Sequence, residues 1–600
     1  MYYFNSWNSE YKQPFGAIKA GQVMKINFSS TKENIAVKFI IRRDFGQRHE
    51  FEMQEIETGI YSSSVQFDVG HGLYFYYFEI TEPTDWGDVK YYYGRSENNG
   101  EGVLYISEQD VKPYQVTVYD FDDKAPDWYR DAVFYQIFPD RFNNGNPDGK
   151  INAPKANSFL YGSLKDDPFY VKEENGAIAR WDFFGGNLKG ITAKIPYLKT
   201  LGVSAIYLNP IFSATSNHRY DTNDYLEIDE MLGDEADFKE LLDELHANQM
   251  HLVLDGVFSH VGKNSRYFNI SKQYGGNEGA TQSIQSPYFD WFKFTDYPQD
   301  YKSWWGIKDL PEVDKDNESF RQFIYGKTNS VLQKWNDFGL DGWRLDVADE
   351  LPDSFIRGIR ENLNQYQDTV LIGEVWEDAS NKISYGKRRD YILGDSLHGC
   401  MNYPFRDMII RYLTGGMSAY DIAHQLMILS ENYPTDIFYN NLNNLGTHDT
   451  ERILTMIGQE NNANAVGLMF SLPGVPCIYY GDEAGLTGGK DPSNRKYFPW
   501  DNIPEDNYQL YQKWTKLRNQ ESLLRTGSFT SFYADNCLGI LRYDANGAFV
   551  SMFNPSHDQV NFHFEDLHFS QKEVLSEEVK AMLQEITIEA KSNVSFKVEK

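Results

Sequence analysis

The sequence predicts an α/β protein: a (β/α)8 barrel with an inserted subdomain after its third strand, flanked by N-terminal and C-terminal β-sandwich domains. Three observations predict it. Eight short apolar, β-branched segments alternate with helical patterns between residues 123 and 524, the repeat expected of a parallel barrel. Residues 1–122 and 525–600 instead carry runs in which β-formers alternate with polar residues, as half-buried strands do. At 600 residues the chain also exceeds what one core supports.

In chain order, IAVKFIIRRDF (35–45), SSVQFDV (63–69), GLYFYYFEI (72–80), KYYYG (90–94) and YQVTVYDF (114–121) build the first sandwich, and DDKAPDW (122–128) reads as a linker. Barrel strands are expected at 132–139, 205–211, 251–258, 342–348, 369–376, 399–405, 439–446 and 477–483. Helical periodicity marks EADFKELLDELHANQM (235–250) and SFRQFIYGKTNSVLQKWNDFG (319–339). The longest gap after a strand, 259–317, is rich in Tyr, Phe, Trp and Ser, so about 261–317 reads as a subdomain inserted on the rim. After NYQLYQKWTKLRNQ (507–520) come LGILRYD (538–544), AFVSMFN (548–554), QVNFHFE (559–565) and SNVSFKVE (592–599), the second sandwich.

Composition narrows the function classes. A net charge of −30 and a pI near 4.8 repel phosphate backbones, so no nucleic-acid partner is expected. No run reaches the length of a membrane span, and MYYFNSWNSE has no basic region ahead of an apolar stretch. With no visible signal peptide and no membrane partner, a cytoplasmic protein is expected. Cys400, Cys477 and Cys537 match no metal or redox spacing, and the first two lie in strand-like segments as small buried hydrophobes. Aromatic residues make up 16% of the chain. Most are assigned to core packing, although a flat ring also suits the apolar C–H face of a sugar.

Chemistry is concentrated in four acidic segments: LVLDGVFSH (252–260), DGWRLDVAD (341–349), LIGEVW (371–376) and LGTHDT (445–450). The first three follow apolar, strand-like runs, which places Asp255, Asp346 and Glu374 at strand ends with Asp449 near the fourth. Carboxyl ends of barrel strands are where such proteins present active-site groups. Burying several acids together is costly unless chemistry needs them. Arg344 lies two residues before Asp346, on the same face of a strand, where its cation would keep Asp346 ionised and oriented.

Taken in order, these motifs resemble family 13 glycoside hydrolases, the α-amylase group. The N-terminal sandwich, YQIFPDRF (135–142) and WWGIKDLPEVD (304–314) are similar to the neopullulanase, cyclomaltodextrinase and maltogenic amylase subgroup, whose first domain is a carbohydrate-binding-like module. The resemblance implies a retaining hydrolase of α-1,4 bonds in maltodextrins, cyclodextrins, starch or pullulan, with transglycosylation open. It makes Asp346 the nucleophile, Glu374 the general acid/base and Asp449 the third carboxylate. Such enzymes need one ionised and one protonated carboxyl about 5–5.5 Å apart. Crowding of carboxylates helps to keep Glu374 protonated.

His260 and His448 match imidazoles that bind hydroxyls of the cleaved sugar, and Tyr220 in HRYDT matches the platform beneath it. Asp255 braces the strand ends, Asp491 and Arg495 in DPSNR match a pair on the non-reducing side, and Trp376 is either a leaving-group contact or a core ring. Two departures stand out: Ser259 where Asn is usual, and Asp349 before Glu350 where the subgroup has Asn. A same-fold transferase or isomerase such as a trehalose synthase stays open as an alternative. So does a non-catalytic glucan-binding relative, although such proteins lose at least one of the three acids.

The chemistry needs no cofactor. Many relatives hold a structural Ca²⁺ near the first barrel loop, and Asn144, Asn146 and Asn187 occupy the matching positions, with Lys150 where an acid often lies. Neutral amides with Asp148 as the nearby charge leave at most a weak site, so calcium removal is expected to change little. Some relatives pair so that one N-terminal domain covers the partner's cleft, which leaves a homodimer open.

Overall fold

The computed structural model describes all residues except 69, 97, 98, 157, 276, 277 and 600; Val69, the last residue of the expected strand 63–69, lies outside it. Eight parallel strands form the central sheet: β1 (Phe134–Ile137), β2 (Ala205–Leu208), β3 (His251–Gly256), β4 (Gly342–Leu345), β5 (Val370–Gly373), β6 (Gly399–Cys400), β7 (Leu442–Asn444) and β8 (Val475–Tyr479). They pair in the order β6-β5-β4-β3-β2-β1-β8-β7. A parallel bridge from Met401 to Leu442 joins β6 to β7 and closes the barrel. Every residue of β2, β4 and β5 is buried, which is why these strands read as unbroken apolar runs rather than as alternations.

Two local expectations need correction. GCMNYPF is strand only at Gly399–Cys400. Asn402 then accepts a hydrogen bond from Phe405 N at 3.3 Å, capping a helix over Tyr403–Leu413. The pattern 319–339 is two helices, Glu318–Tyr325 and Val331–Asn336, separated at Gly326 and restarted by Ser330, which accepts from Gln333 N. Within the expected linker, Asp123 is buried and pairs with Arg360 at 3.0 Å.

The N-terminal domain is two sheets around a shared core containing Phe4, Phe28, Phe39, Tyr76, Phe78 and Tyr114. Along Gly72–Thr84, Tyr74, Tyr76, Phe78 and Ile80 turn inward, so alternation along a strand spends these aromatics on packing. The C-terminal domain has a five-stranded sheet that includes Ser528–Ala534, Cys537–Tyr543, Gly547–Phe553 and Asn593–Glu599. A two-stranded sheet (Val560–His563 with Glu585–Ile588) and the short helix Glu577–Met582 complete it. Their apolar residues, among them Phe562, Val579, Ile586 and Ile588, share one core with the larger sheet.

The N-terminal domain is locked to the barrel by Glu431, on the helix Ala419–Asn432. Its carboxylate accepts from Trp7 Nε1 at 2.9 Å, Ser6 Oγ at 3.1 Å and the buried Lys12 Nζ at 3.3 Å. Burial pulls the Lys12 pKa down while Glu431 opposes that shift. Removing one partner of a buried pair costs about 3–5 kcal/mol because the other charge stays behind. Glu431→Ala should therefore destabilise the protein by about 3 kcal/mol in denaturant unfolding, with turnover on short substrates retained. An unchanged midpoint would contradict this reading of the interface.

Candidate active site

The barrel register brings the strand-end acids together. Asp255 in β3 is the direct neighbour of Arg344 in β4. Strand β4 ends at Leu345, yet Asp346 N still bonds Gly256 O at 3.1 Å, and Glu374 N bonds Leu345 O at 2.9 Å. The ladder thus carries both acids just past the carboxyl end of the sheet. Arg344 is fully buried. Its Nη1 donates to Asp255 Oδ1 at 2.8 Å and Asp346 Oδ1 at 3.0 Å, and its Nη2 pairs with Glu374 Oε2 at 2.9 Å. One guanidinium therefore holds three carboxylates.

The residue after Asp346 is strained. Val347 has φ of 38°, a left-handed conformation that a β-branched residue rarely adopts. In this conformation its N–H donates to Glu374 Oε2 at 2.7 Å. The other oxygen, Oε1, accepts from Trp376 Nε1 at 3.0 Å. Trp376 stacks on Tyr403 at 3.9 Å and 11° while 43% of it stays exposed, so it is a cleft residue rather than a core ring.

His448 and Tyr220 sit together, stacked at 5.2 Å and 6°. His448 Nδ1 faces two amide donors, Gln136 Nε2 at 2.9 Å and Asn209 Nδ2 at 3.1 Å. That assigns its proton to Nε2, which lies 2.6 Å from Tyr220 Oη and 3.1 Å from Asp449 Oδ2. Tyr220 in turn donates to Asp255 Oδ2 at 2.8 Å, beside Tyr207 at 2.6 Å. His260 Nδ1 meets Ser259 Oγ at 2.8 Å, so the serine at the unusual position fixes this ring. Burial pulls His260 down to about 4 and His448 well below the ordinary imidazole value, so both are neutral at physiological pH.

Electrostatics separate this cluster from a simple ion pair. Burial raises the Asp346 pKa well above the carboxylate range; Arg344 opposes that, and Glu374, Asp255 and Asp449 add to it. Burial raises Asp255 too, and burial followed by the nearby Glu374 pushes Asp449 up to about 7. The Arg344 cation favours an ionised Asp346, as expected of it, and burial and the neighbouring acids push the other way. The shared guanidinium competes with burial and mutual repulsion, and the cluster retains a proton near neutral pH.

Asp346, Glu374, Asp449, Tyr220, His260 and His448 line a cleft of about 840 Å³, while Arg344 and Asp255 are buried and do not line it. At one end Arg495 Nη1 pairs with Asp491 at 2.8 Å, and Tyr170 donates to Asp491 Oδ1 at 2.7 Å. Tyr170 meets Trp181 edge-on at 5.5 Å, and Trp181 meets His218 at 4.9 Å. At the other end Glu350 Oε1 accepts from Trp305 Nε1 at 3.1 Å and Tyr385 Oη at 2.5 Å. Asp349 is taken up by Tyr391 and Lys382.

Several of these residues escaped the sequence reading. Gln136, Asn209 and Tyr207 stand in or just beyond barrel strands, and a polar residue at a strand end was the available signal. Tyr170 and Trp181 had none, because the loop holding them has only the short pairings Phe159–Leu160 with Asp182–Phe183 and Val171–Lys172 with Ile178–Arg180, whereas His218 opens the HRYDT segment that was read for Tyr220 alone.

The asparagines proposed for calcium satisfy one another. Asn187 Oδ1 accepts from Gly145 N and Gly190 N, and Asn144 Oδ1 accepts from Asn146 N and Asn187 Nδ2. Asn146 donates to Lys150 O and Asn152 Oδ1, while the exposed Asp148 pairs with Lys150. With the Asn144 and Asn187 amide oxygens facing N–H donors and no carboxylate among them, these three residues do not fit a Ca²⁺ shell.

Among the described residues no helix is long and apolar enough to cross a membrane. The amylopullulanase of Thermoanaerobacter thermohydrosulfuricus is 34% identical over 88% of this chain. The chain spans less than half the length of that relative, 39%. The cyclomaltodextrinase of Geobacillus thermopakistaniensis is 35% identical over 72% of this chain and 70% of its own length. Among solved structures, the cyclic α-maltosyl-(1→6)-maltose hydrolase of Arthrobacter globiformis, in complex with that cyclic sugar, superposes with a TM-score of 0.68. It is 29% identical and covers 79% of this chain and 100% of its own. The model of the α-amylase catalytic domain matches residues 136–525, well over half of the chain, and the protein therefore belongs to the α-amylase family.

Proposed function

We propose that this protein is a retaining hydrolase of α-1,4-glucosidic bonds in maltodextrins, cyclodextrins, starch or pullulan. The observation that carries the reading is the grip of Arg344 on Asp255, Asp346 and Glu374. Of these three, Asp346 and Glu374 stand at the mouth of the barrel as the pair of carboxyls that double displacement uses. The relatives support the substrate class, since amylopullulanase and cyclomaltodextrinase are names for α-glucan hydrolases.

In this reading Asp346 attacks the anomeric carbon while Glu374 gives its proton to the departing glycosidic oxygen. The bond from that carbon to oxygen breaks as the ester to Asp346 forms. Glu374 then takes a proton from water, the water oxygen attacks the same carbon, and Asp346 is released. The Val347 N–H and the Trp376 indole aim Glu374. Asp449, His448 and His260 grip hydroxyls of the sugar over Tyr220, and Asp491 and Arg495 hold the sugar on the non-reducing side. Trp305, Tyr385 and Glu350 face the acceptor, where water and a second glucan compete.

Digesting maltodextrin, cyclodextrin, starch and pullulan separately, with products identified by chromatography, tests the substrate class; no release of sugar from any of the four would refute it. Asp346→Asn and Glu374→Gln keep shape but remove the nucleophile and the proton donor, so each should lose about 10³-fold or more in kcat/KM. Near-native turnover in either variant would reverse the roles. Newly released reducing ends should be α-anomers in proton NMR recorded before mutarotation, and an initial β-signal would exclude double displacement. Finally, adding Ca²⁺ to chelator-treated protein should move the thermal midpoint by less than about 2 °C, given that neutral amides bind Ca²⁺ weakly. A calcium-specific rise of many degrees would contradict the reading of the Asn144–Asn187 loop.

A further inference from the structure

At the opposite end of the barrel, three side chains that the cleft does not use converge. His251 is the first residue of β3, and Asp341 directly precedes β4. His246 lies in the last turn of α1 (Glu235–Ala247), the helix that runs back into β3. A tight turn at Gln249, with φ of 59°, and the bond from Met250 N to Leu245 O at 2.8 Å return the helix end to the strand start. His246 Nε2 then lies 2.9 Å from Asp341 Oδ2, and His251 Nδ1 lies 2.8 Å from Asp341 Oδ1. One ligand atom from each of the three residues falls within 4.8 Å of the others.

We propose that His246, His251 and Asp341 form a binding site for one divalent transition-metal ion of the Zn²⁺ class. Two imidazoles and a carboxylate are a donor set that Zn²⁺ takes at about 2.0–2.2 Å. Three protein ligands leave a fourth position for water, and the partial exposure of His246, 38%, gives that water and the ion a way in. The arrangement is preorganised. Trp128 stacks on the His251 ring at 4.1 Å and 18°, fixing its plane. Asp341 is anchored by Leu252 N, which donates to Oδ2 at 2.9 Å. Such outer contacts orient ligands in metal sites.

Without metal the same groups form a hydrogen-bonded chain in which Asp341 accepts from both rings. A metal ion would replace the protons shared along that chain, drawing the three donors inward and releasing protons to solvent. The neighbouring charges on the helix, Lys239 and Asp243, pair with each other and leave the site charge to Asp341. Because the ligands come from α1, β3 and the start of β4, the ion would clip helix to barrel at the end away from the chemistry.

Calorimetric titration of the chelator-stripped full chain with ZnCl₂ tests this. One equivalent should bind, and the thermal midpoint should rise by a few degrees at about a hundredfold excess over Kd. Co²⁺ at the same stoichiometry should give the visible absorption of a four-coordinate ion. His246→Ala, at a side chain 38% exposed, should weaken Zn²⁺ binding by about tenfold or more, and His251→Gln should do the same. Absence of saturable binding by the wild-type chain would overturn the proposal. So would unchanged stoichiometry and Kd in both variants, which would move the zinc to other imidazoles such as those of the cleft.

Discussion

A single buried guanidinium organises the centre of this molecule. Arg344 is the neighbour of Asp255 across the β3–β4 ladder and reaches Asp346 and Glu374 as the ladder runs out. Burying charge is unfavourable unless it is paired with good geometry, and here one cation serves three acids, with Asp449 close behind. The imbalance is what makes the cluster chemical rather than structural. Three acids share one guanidinium, so burial and mutual repulsion push Asp346 and Asp449 upward and favour a proton within the cluster, and a retaining glycosidase begins its cycle with one protonated and one ionised carboxyl.

The rest of the barrel serves to hold that cluster. The apolar strands set the register that places Asp255 opposite Arg344, and Val347 accepts a strained backbone so that its N–H reaches Glu374. Amides from β1 and from the end of β2, Gln136 and Asn209, fix the tautomer of His448 from below. Loops then shape the two ends of the cleft. The loop after β1 brings Tyr170 onto Asp491, and the inserted segment brings Trp305 to Glu350, which Tyr385 also reaches.

What the sequence made legible follows from range. Strands buried on both faces announce themselves as apolar runs, and an acid ending such a run is visible without knowing its neighbours. Asp255, Asp346 and Glu374 were readable for that reason, with Arg344 two residues before Asp346, whereas Asp449, His260 and His448 were picked out by the resemblance of their motifs. GCMNYPF misled because Asn402 and Pro404 favour a helix start that the preceding strand-like residues mask. Asp123 looked like linker because its partner Arg360 is 237 residues away. Tyr170, Trp181 and Gln136 gain their meaning only from contacts across loops and strands. His246, His251 and Asp341 form no motif, since a turn and a strand pairing, not a spacing, bring them together.

The central claim is that Arg344 presents Asp346, and no other acid of the cluster, to the anomeric carbon. Reaction with a fluorinated maltosyl fluoride that forms the glycosyl-enzyme but hydrolyses slowly, followed by proteolysis and mass spectrometry, locates the attacked residue. The account predicts one glycosyl ester, on the peptide carrying Asp346, absent in Asp346→Asn. A stable ester on Asp255, Glu374 or Asp449 would contradict it.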